Sequence, residues 1–225
     1  MMMHHSTDTF RDRLQAGVLL SGALQEFRAT NTVLLGLARG GVVVGYSVAR
    51  ELGLPLQALV VRKLGAPRNP ELAIGAVSEV GEWWLDHDLV QATGASDDYL
   101  AEAIARQTAE TQRRRAEYGR TIDLSAVGAW SAIVVDDGIA TGATALVGVR
   151  SARRLGAERV TLATPVASPH AVQTLQPLVD RLVTLAAPAD FRAVGLYYQR
   201  FAQVTDAGVV HYLRSAADLS LPPPE

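Results

Sequence analysis

Asp136 and Asp137 stand side by side after the apolar run Ala132-Ile133-Val134-Val135, and Gly138-Ile139-Ala140-Thr141-Gly142-Ala143-Thr144 follows them. Two adjacent carboxylates can accept hydrogen bonds from the hydroxyls of a sugar. A loop of small residues with two glycines lets backbone N–H groups come close to an anion. Thr141 and Thr144 add hydroxyl donors. Together these residues suit a phosphorylated ribose. No Gly-Lys-Ser/Thr follows, which excludes a P-loop. For the acids taken alone, the competing reading is a solvated turn.

This chemistry needs elements that hold it in place. Residues 133–135 are β-branched and bounded by turn signals, as in a buried strand of a parallel sheet, and ligands bind at the carboxyl ends of such strands. A helix is expected from about residue 144 to 155, ended by Gly156. Ala145, Val149 and Ala152 share one of its faces, while Arg150, Arg153 and Arg154 share another. Its free N–H groups and positive dipole end would face the loop. A second strand–turn–helix unit lies upstream: residues 33–37 are apolar, Ala38-Arg39-Gly40-Gly41 make the turn, and a helix over 42–52 is closed by Gly53 and Pro55. Arg39 there offers a forked cation to phosphate oxygens, or else points into solvent beside glycines that serve close packing.

The pattern places the next strand at 57–61, with Arg62 and Lys63 at its carboxyl end, as anion ligands or as snorkelling surface cations. Residues 65–71 carry the breakers of a mobile loop, with Arg68 on it. Residues 74–78 and 83–85 suggest a hairpin.

The stretch from Val134 to Thr144 resembles the phosphoribosyl-pyrophosphate (PRPP) signature of type I phosphoribosyltransferases. That resemblance implies a Rossmann-like α/β fold, with a central parallel sheet flanked by helices and a small hood or lid. It assigns the ribose hydroxyls to Asp136 and Asp137, and the 5′-phosphate to Ala140, Thr141, Gly142, Ala143 and Thr144. It assigns pyrophosphate to Arg39, Gly40, Gly41 and Lys63, and counts Lys63 with the acid pair as catalytic. It implies Mg²⁺ carried by PRPP near Asp136 and Asp137, a nitrogen acceptor such as a nucleobase, and a homodimer. Arg68 would ride on a lid over the leaving group, or is an exposed arginine. Purine-salvage members place a further acid four residues after the first of the pair. Ala140 stands there, which points away from a 6-oxopurine acceptor needing that carboxylate. Gly138 also replaces the larger residue common after the pair. A non-catalytic sensor of PRPP or of a nucleotide is the alternative on the same fold.

The remainder of the chain sets bounds. Its 225 residues, 48% of them hydrophobic, suit one domain with its core over about 30–188 and hood or tail elements outside it and in 64–95. A net charge of −2 gives no electrostatic case for nucleic acid or an anionic membrane. The absence of cysteine excludes disulfides and fits a cytoplasmic setting. No apolar run reaches the roughly 20 residues of a membrane span. Residues 1–5 read as a disordered lead-in without signal-peptide character, and 221–224 as a frayed end.

Helices are expected over 10–27, from Ser96 to about Glu117, and over 203–213, with a connector over 118–128. Arg113, Arg114 and Arg115 read as a solvated face, with phosphate or subunit contact as the competing reading. Strands are expected over 160–164 and 181–185. His170 reads as a surface residue starting a helix. The aromatics of 191–198 either pack the tail on the core or wall an acceptor pocket.

Overall fold

The computed structural model describes residues 9–119, 122, 124 and 129–219. The expected lead-in, the frayed end and most of the connector over 118–128 lie outside the described residues.

Five parallel strands form the central sheet: β1 (Thr32–Leu37), β2 (Leu56–Leu59), β6 (Ser131–Val135), β7 (Arg159–Val166) and β8 (Arg181–Ala186), in the order β2-β1-β6-β7-β8. Every residue of β1 is buried, as in a strand covered on both faces. Helices α1 (Arg13–Gly22), α2 (Gly40–Leu52) and α7 (Asp206–Leu219) cover one face, packing Leu20, Val44, Val48 and Leu213 against Leu34 and Ile133. Helix α5 (Ala143–Arg154) covers the other, where Ala145, Val149 and Ala152 meet Val134 and Leu162. The expected apolar face of that helix is therefore the buried one. Helix α6 (Pro169–Leu175) follows β7, with His170 exposed in its first turn as expected.

The chain leaves β1 toward β2 on one side, and β6 lies on the other side. The loops after β1 and β6 thus diverge at the topological switch point, where open α/β sheets form their crevice.

A smaller antiparallel sheet, β3 (Val61–Ala66), β4 (Asn69–Ser78) and β5 (Trp83–Leu85), stands beside this crevice. It is backed by the short α3 (His87–Thr93) and the long α4 (Asp97–Tyr118), with Leu64, Ile74 and Val77 packed against Leu100 and Ala103. Ser96 caps α4, its hydroxyl accepting from Tyr99 N at 3.3 Å, and the helix ends one residue beyond the expected Glu117.

Several boundaries differ from expectation, each for a tertiary reason. The strand expected at 57–61 ends at Leu59, and Arg62 and Lys63 belong to β3 of the smaller sheet. The chain changes sheets at Val60, whose N–H donates to the buried carboxylate of Glu79 at 2.9 Å; Arg115 pairs with the same carboxylate at 3.3 Å. Glu79→Ala is expected to destabilise the fold by about 2–3 kcal/mol, because it strands a buried N–H and an arginine together. A denaturant midpoint close to wild type would refute that role.

Residues 65–71 form the β3–β4 turn rather than an irregular loop, with Ala66 paired to Asn69 and Arg68 exposed at the tip. The first helix is shorter than 10–27. Asp12 caps α1 by accepting from Gln15 N at 3.0 Å, while Phe10 is extended and bridges to Tyr198. The last helix begins later and runs further than 203–213, because the Thr205 hydroxyl accepts from Gly208 N at 3.0 Å.

Candidate functional site

A cavity of about 910 Å³ opens at the switch point. Arg39, Gly40, Lys63, Asp136, Asp137, Ala140, Thr141, Gly142 and Thr144 all line it. Gly41 and Ala143 lie beneath this surface, both buried. The structure therefore brings the residues of both loops together, and Lys63 reaches them from β3. Arg68 is not among the cavity residues.

The loop after β6 is shaped by its neighbours. Gly142 adopts φ +89°, and α5 begins directly after it. Ile139 N donates to Val166 O at 2.9 Å, and Ser168 Oγ donates to Ala140 O at 2.6 Å, so the loop's outer edge is pinned to the end of β7 and the cap of α6. Among the described residues, no protein acceptor takes the backbone N–H groups of residues 140–144. They form the donor set of a helix N-terminus, suited to an anion.

The loop after β1 approaches the acids closely. A Cβ on Gly40 would fall 1.9 Å from Asp137 Oδ2, and one on Gly41 would fall 2.3 Å from Val135 O. At Gly41 the obstacle is backbone, so only glycine fits; a side chain at Gly40 would displace the Asp137 carboxylate. The Ala38–Arg39 peptide between β1 and this turn is cis.

The two carboxylates differ. Asp136 accepts from Asp137 N at 2.9 Å. Burial, then the adjacent Asp137, pushes the Asp136 carboxyl well above the ordinary carboxylate range, while Lys63 pulls the other way. Asp137 Oδ2 instead accepts from Arg13 Nε at 2.6 Å. Arg13 stacks over the ring of Phe201 at 3.8 Å and donates to Ala202 O at 2.8 Å. Tyr198 donates its hydroxyl to Asp137 O at 2.5 Å, and its ring packs on Phe10 and Phe201. Of the expected aromatics over 191–198, Tyr198 is buried packing and Phe191 stacks on Tyr197, and none of them is among the cavity residues; Val194 and, beyond that stretch, Phe201 line it. A Cβ on Gly138 would fall 2.2 Å from a Val194 methyl, so the tail fills the space that a larger residue after the acid pair would take.

Three further cations reach the site: Arg62, with an anion-ligand reading from its place beside Lys63, Arg114, with phosphate contact as its competing reading, and Arg13, with neither. Arg13 comes from α1, far away in sequence. Arg62 lines the cavity and donates to Gln107 Oε1 at 2.8 Å. Arg114 is not part of a solvated face; it lines the cavity, pairs with Glu110 at 2.8 Å and is 15% exposed, whereas Arg113 is 55% exposed. The spacing of Gln107, Thr111, Arg114 and Tyr118 along one helical stripe carried the signal for Arg114. Asp206, opening α7, gathers the far end of the site. Its Oδ1 accepts from Tyr118 at 2.5 Å and lies 3.9 Å from both Arg39 and Arg114.

Among the described residues, no group of three or more His, Asp or Glu side chains could hold a metal ion, and no helix is long and apolar enough to cross a membrane.

Comparison with known proteins agrees with this geometry. Two proteins from strains of Mycobacterium tuberculosis, provisionally named phosphoribosyl transferases, are 42% identical over 207 residues, which is 92% of this chain and 47% of each of theirs. The chain spans about half the length of these curated relatives. The crystal structure of TT1426 from Thermus thermophilus superposes with a TM-score of 0.73 at 41% identity, covering 92% of this chain and 98% of that one. The profile of the phosphoribosyl transferase domain matches residues 14–199, a span that takes in both loops and the acid pair, and the chain belongs to that family.

Proposed function

We propose that this chain transfers the phosphoribosyl group of PRPP to a nitrogen acceptor, a nucleobase or related compound, and releases pyrophosphate. One observation carries the reading: two anion-binding turns meet an acid pair at a single strand switch point, so the two phosphate-bearing ends of PRPP and its ribose each have a matching partner.

In this reading the N–H groups of residues 140–144 and the hydroxyls of Thr141 and Thr144 hold the 5′-phosphate. Asp136 and Asp137 take the ribose hydroxyls. Arg39, the backbone at Gly40 and Gly41, and Lys63 hold pyrophosphate. As the C1′–O bond breaks, positive charge grows on the ribose and negative charge on the leaving group. Fixed donors and cations at one end and carboxylates at the other stabilise that separation. Mg²⁺ fits as a cation delivered by the substrate's own phosphates, with Asp136 and Asp137 at the edge of its site; it would neutralise leaving-group charge. Val194 and Phe201 offer the apolar wall on which a flat acceptor could lie.

The raised Asp136 carboxyl has a consequence for binding. A raised acid is more protonated in the folded chain than in the unfolded one, so its contribution to stability is present below the ordinary value of 3.8 and lost as pH rises through the folded value. A cationic partner favours the ionised form. Binding of Mg²⁺–PRPP is therefore expected to release protons, read as a calorimetric heat that varies with the ionisation enthalpy of the buffer. Buffer-independent heats at every pH above that ordinary value would contradict this account of Asp136.

The activity itself is tested by pyrophosphate release from PRPP with a panel of purine, pyrimidine and other nitrogen acceptors. The Arg13–Asp137 pair supports a second reading, a PRPP or nucleotide sensor, because one carboxylate already has a cationic partner. PRPP binding without release under every acceptor would favour the sensor. No binding with Mg²⁺ present would refute both.

A further inference from the structure

We propose that Arg62, Gln107 and Arg114 form a third anion subsite of the cleft, which takes a phosphate-class oxyanion beside the turn at residues 39–41. The proposal rests on reading that turn as the pyrophosphate loop. The oxyanion is either a phosphoryl group extending beyond pyrophosphate on one chain or a separate phosphate.

The smaller sheet sets up the separation. In β3 successive side chains alternate between faces. Leu64 faces α4, where it packs with Leu100 and Ala103, and Arg62 shares that face, with its Nε donating to Gln107 Oε1 at 2.8 Å. Lys63 lies on the opposite face, and its charge acts on Asp136. The two neighbouring cations therefore serve different parts of the cavity. Gln107 and Arg114 are seven residues apart on α4, two turns along one stripe, and both line the cavity.

Arg62 has no carboxylate in ion-pair contact among the described residues, and the nearby Glu110 and Asp206 are engaged by Arg113, Arg114 and Tyr118. Its acceptor among the described residues is the neutral amide of Gln107, and it belongs to none of their ion pairs. Burial, with Arg114 and Arg39 close by, pulls its guanidinium below the ordinary arginine value, against the opposing pull of Glu110 and Asp206. Arg39 and Arg114 are near enough to share Asp206, each 3.9 Å from the same oxygen. The cavity is lined by Arg39, Arg62, Lys63, Arg106 and Arg114, against Glu71, Asp136 and Asp137. One of those acids is held by Arg13, and the acid pair faces the sugar. Pyrophosphate on residues 39–41 and Lys63 leaves Arg62 without an ion-pair partner on the α4 side, next to Arg114, whose Nε is held by Glu110 at 2.8 Å. A half-buried guanidinium without an ion-pair contact is costly, and a bound oxyanion offsets that cost. Two guanidinium forks and the Gln107 amide supply donors suited to a tetrahedral oxyanion.

Calorimetric titration of the full chain with orthophosphate, pyrophosphate and tripolyphosphate tests this. Either tripolyphosphate binds about tenfold more tightly than pyrophosphate, which assigns the site to a phosphoryl chain, or orthophosphate binds on top of saturating pyrophosphate, which assigns it to a separate phosphate. Arg62→Gln is expected to erase that gain while keeping pyrophosphate affinity within about twofold of wild type. It should also leave the ligand-free melting temperature unchanged or higher, because a cation crowded by two others has gone. A purely structural Arg62–Gln107 tie predicts the opposite pair of results, a lower melting temperature and an intact gain. Should Arg62→Gln not fold, Arg62→Lys keeps the charge without the fork and is expected to lower the gain about threefold or more. A wild-type chain that shows neither gain, or a gain that survives in the variants, overturns the proposal. Failure of pyrophosphate itself to bind refutes the loop reading instead. In that case, orthophosphate binding that Arg62→Gln abolishes still supports the subsite, and its absence overturns it.

Discussion

Asp137→Asn is expected to lower kcat/KM for PRPP by about 10²–10³-fold, equivalent to about 3–4 kcal/mol of transition-state stabilisation. The loss follows from the charge that the carboxylate sets against a ribose becoming cationic. The fold should hardly notice. The amide oxygen of Asn can still accept from Arg13 Nε, and the Tyr198 bond goes to the backbone carbonyl of this residue, which the substitution keeps. A stability change of about 1 kcal/mol is expected, the size of one weakened hydrogen bond. Steady-state kinetics beside thermal melting separate the two effects. Turnover within a few-fold of wild type would remove Asp137 from the chemistry, and collapse of the fold would make it structural.

The second large effect concerns Gly41→Ala. The added Cβ would meet Val135 O at 2.3 Å and Asp136 Cα at 3.0 Å, both backbone atoms at the end of β6. Neither can swing aside, so the start of α2 must move away from the strand that carries the acids. Overpacking of this kind destabilises by about 1–3 kcal/mol, and the displaced turn should lose pyrophosphate affinity by about 10²-fold or more. Gly53→Ala is a useful contrast. It too strains the backbone, at φ +68°, but nothing lies within 4 Å of its Cβ, so its cost falls on stability with no change in pyrophosphate binding. Equal pyrophosphate affinity in wild type and Gly41→Ala, measured by titration, would sink this account of the turn.

What could be read in the chain was what is local. Strand, small-residue turn and helix follow one another without interruption at residues 33–52 and 133–155, so period, breakers and chemistry agreed there. The acid pair was legible for the same reason. The hidden parts depend on contacts distant in sequence. Residues 56–66 run on as one extended segment, and the change of sheet at Val60 is set by Glu79, nineteen positions away. Arg13 reaches Asp137 across 124 positions, held there by a ring from the tail. No local pattern marks such an arginine, because its role is decided by what the tail brings against it. Arg114 was misjudged because its neighbours Arg113 and Arg115 face elsewhere, one into solvent and one toward Glu79.

The ties among Asp137, Tyr198, Arg13 and Phe201, and between Asp206 and Arg39, set an order of assembly during synthesis. The loops after β1 and β6 leave the ribosome long before residue 198, yet the braces on Asp137 and Arg39 from the tail form only once residues 198–206 have emerged. A nascent chain would carry an unfinished pocket until those residues appear, and a product terminated before them would keep the five-stranded sheet without the braces on Asp137 and Arg39.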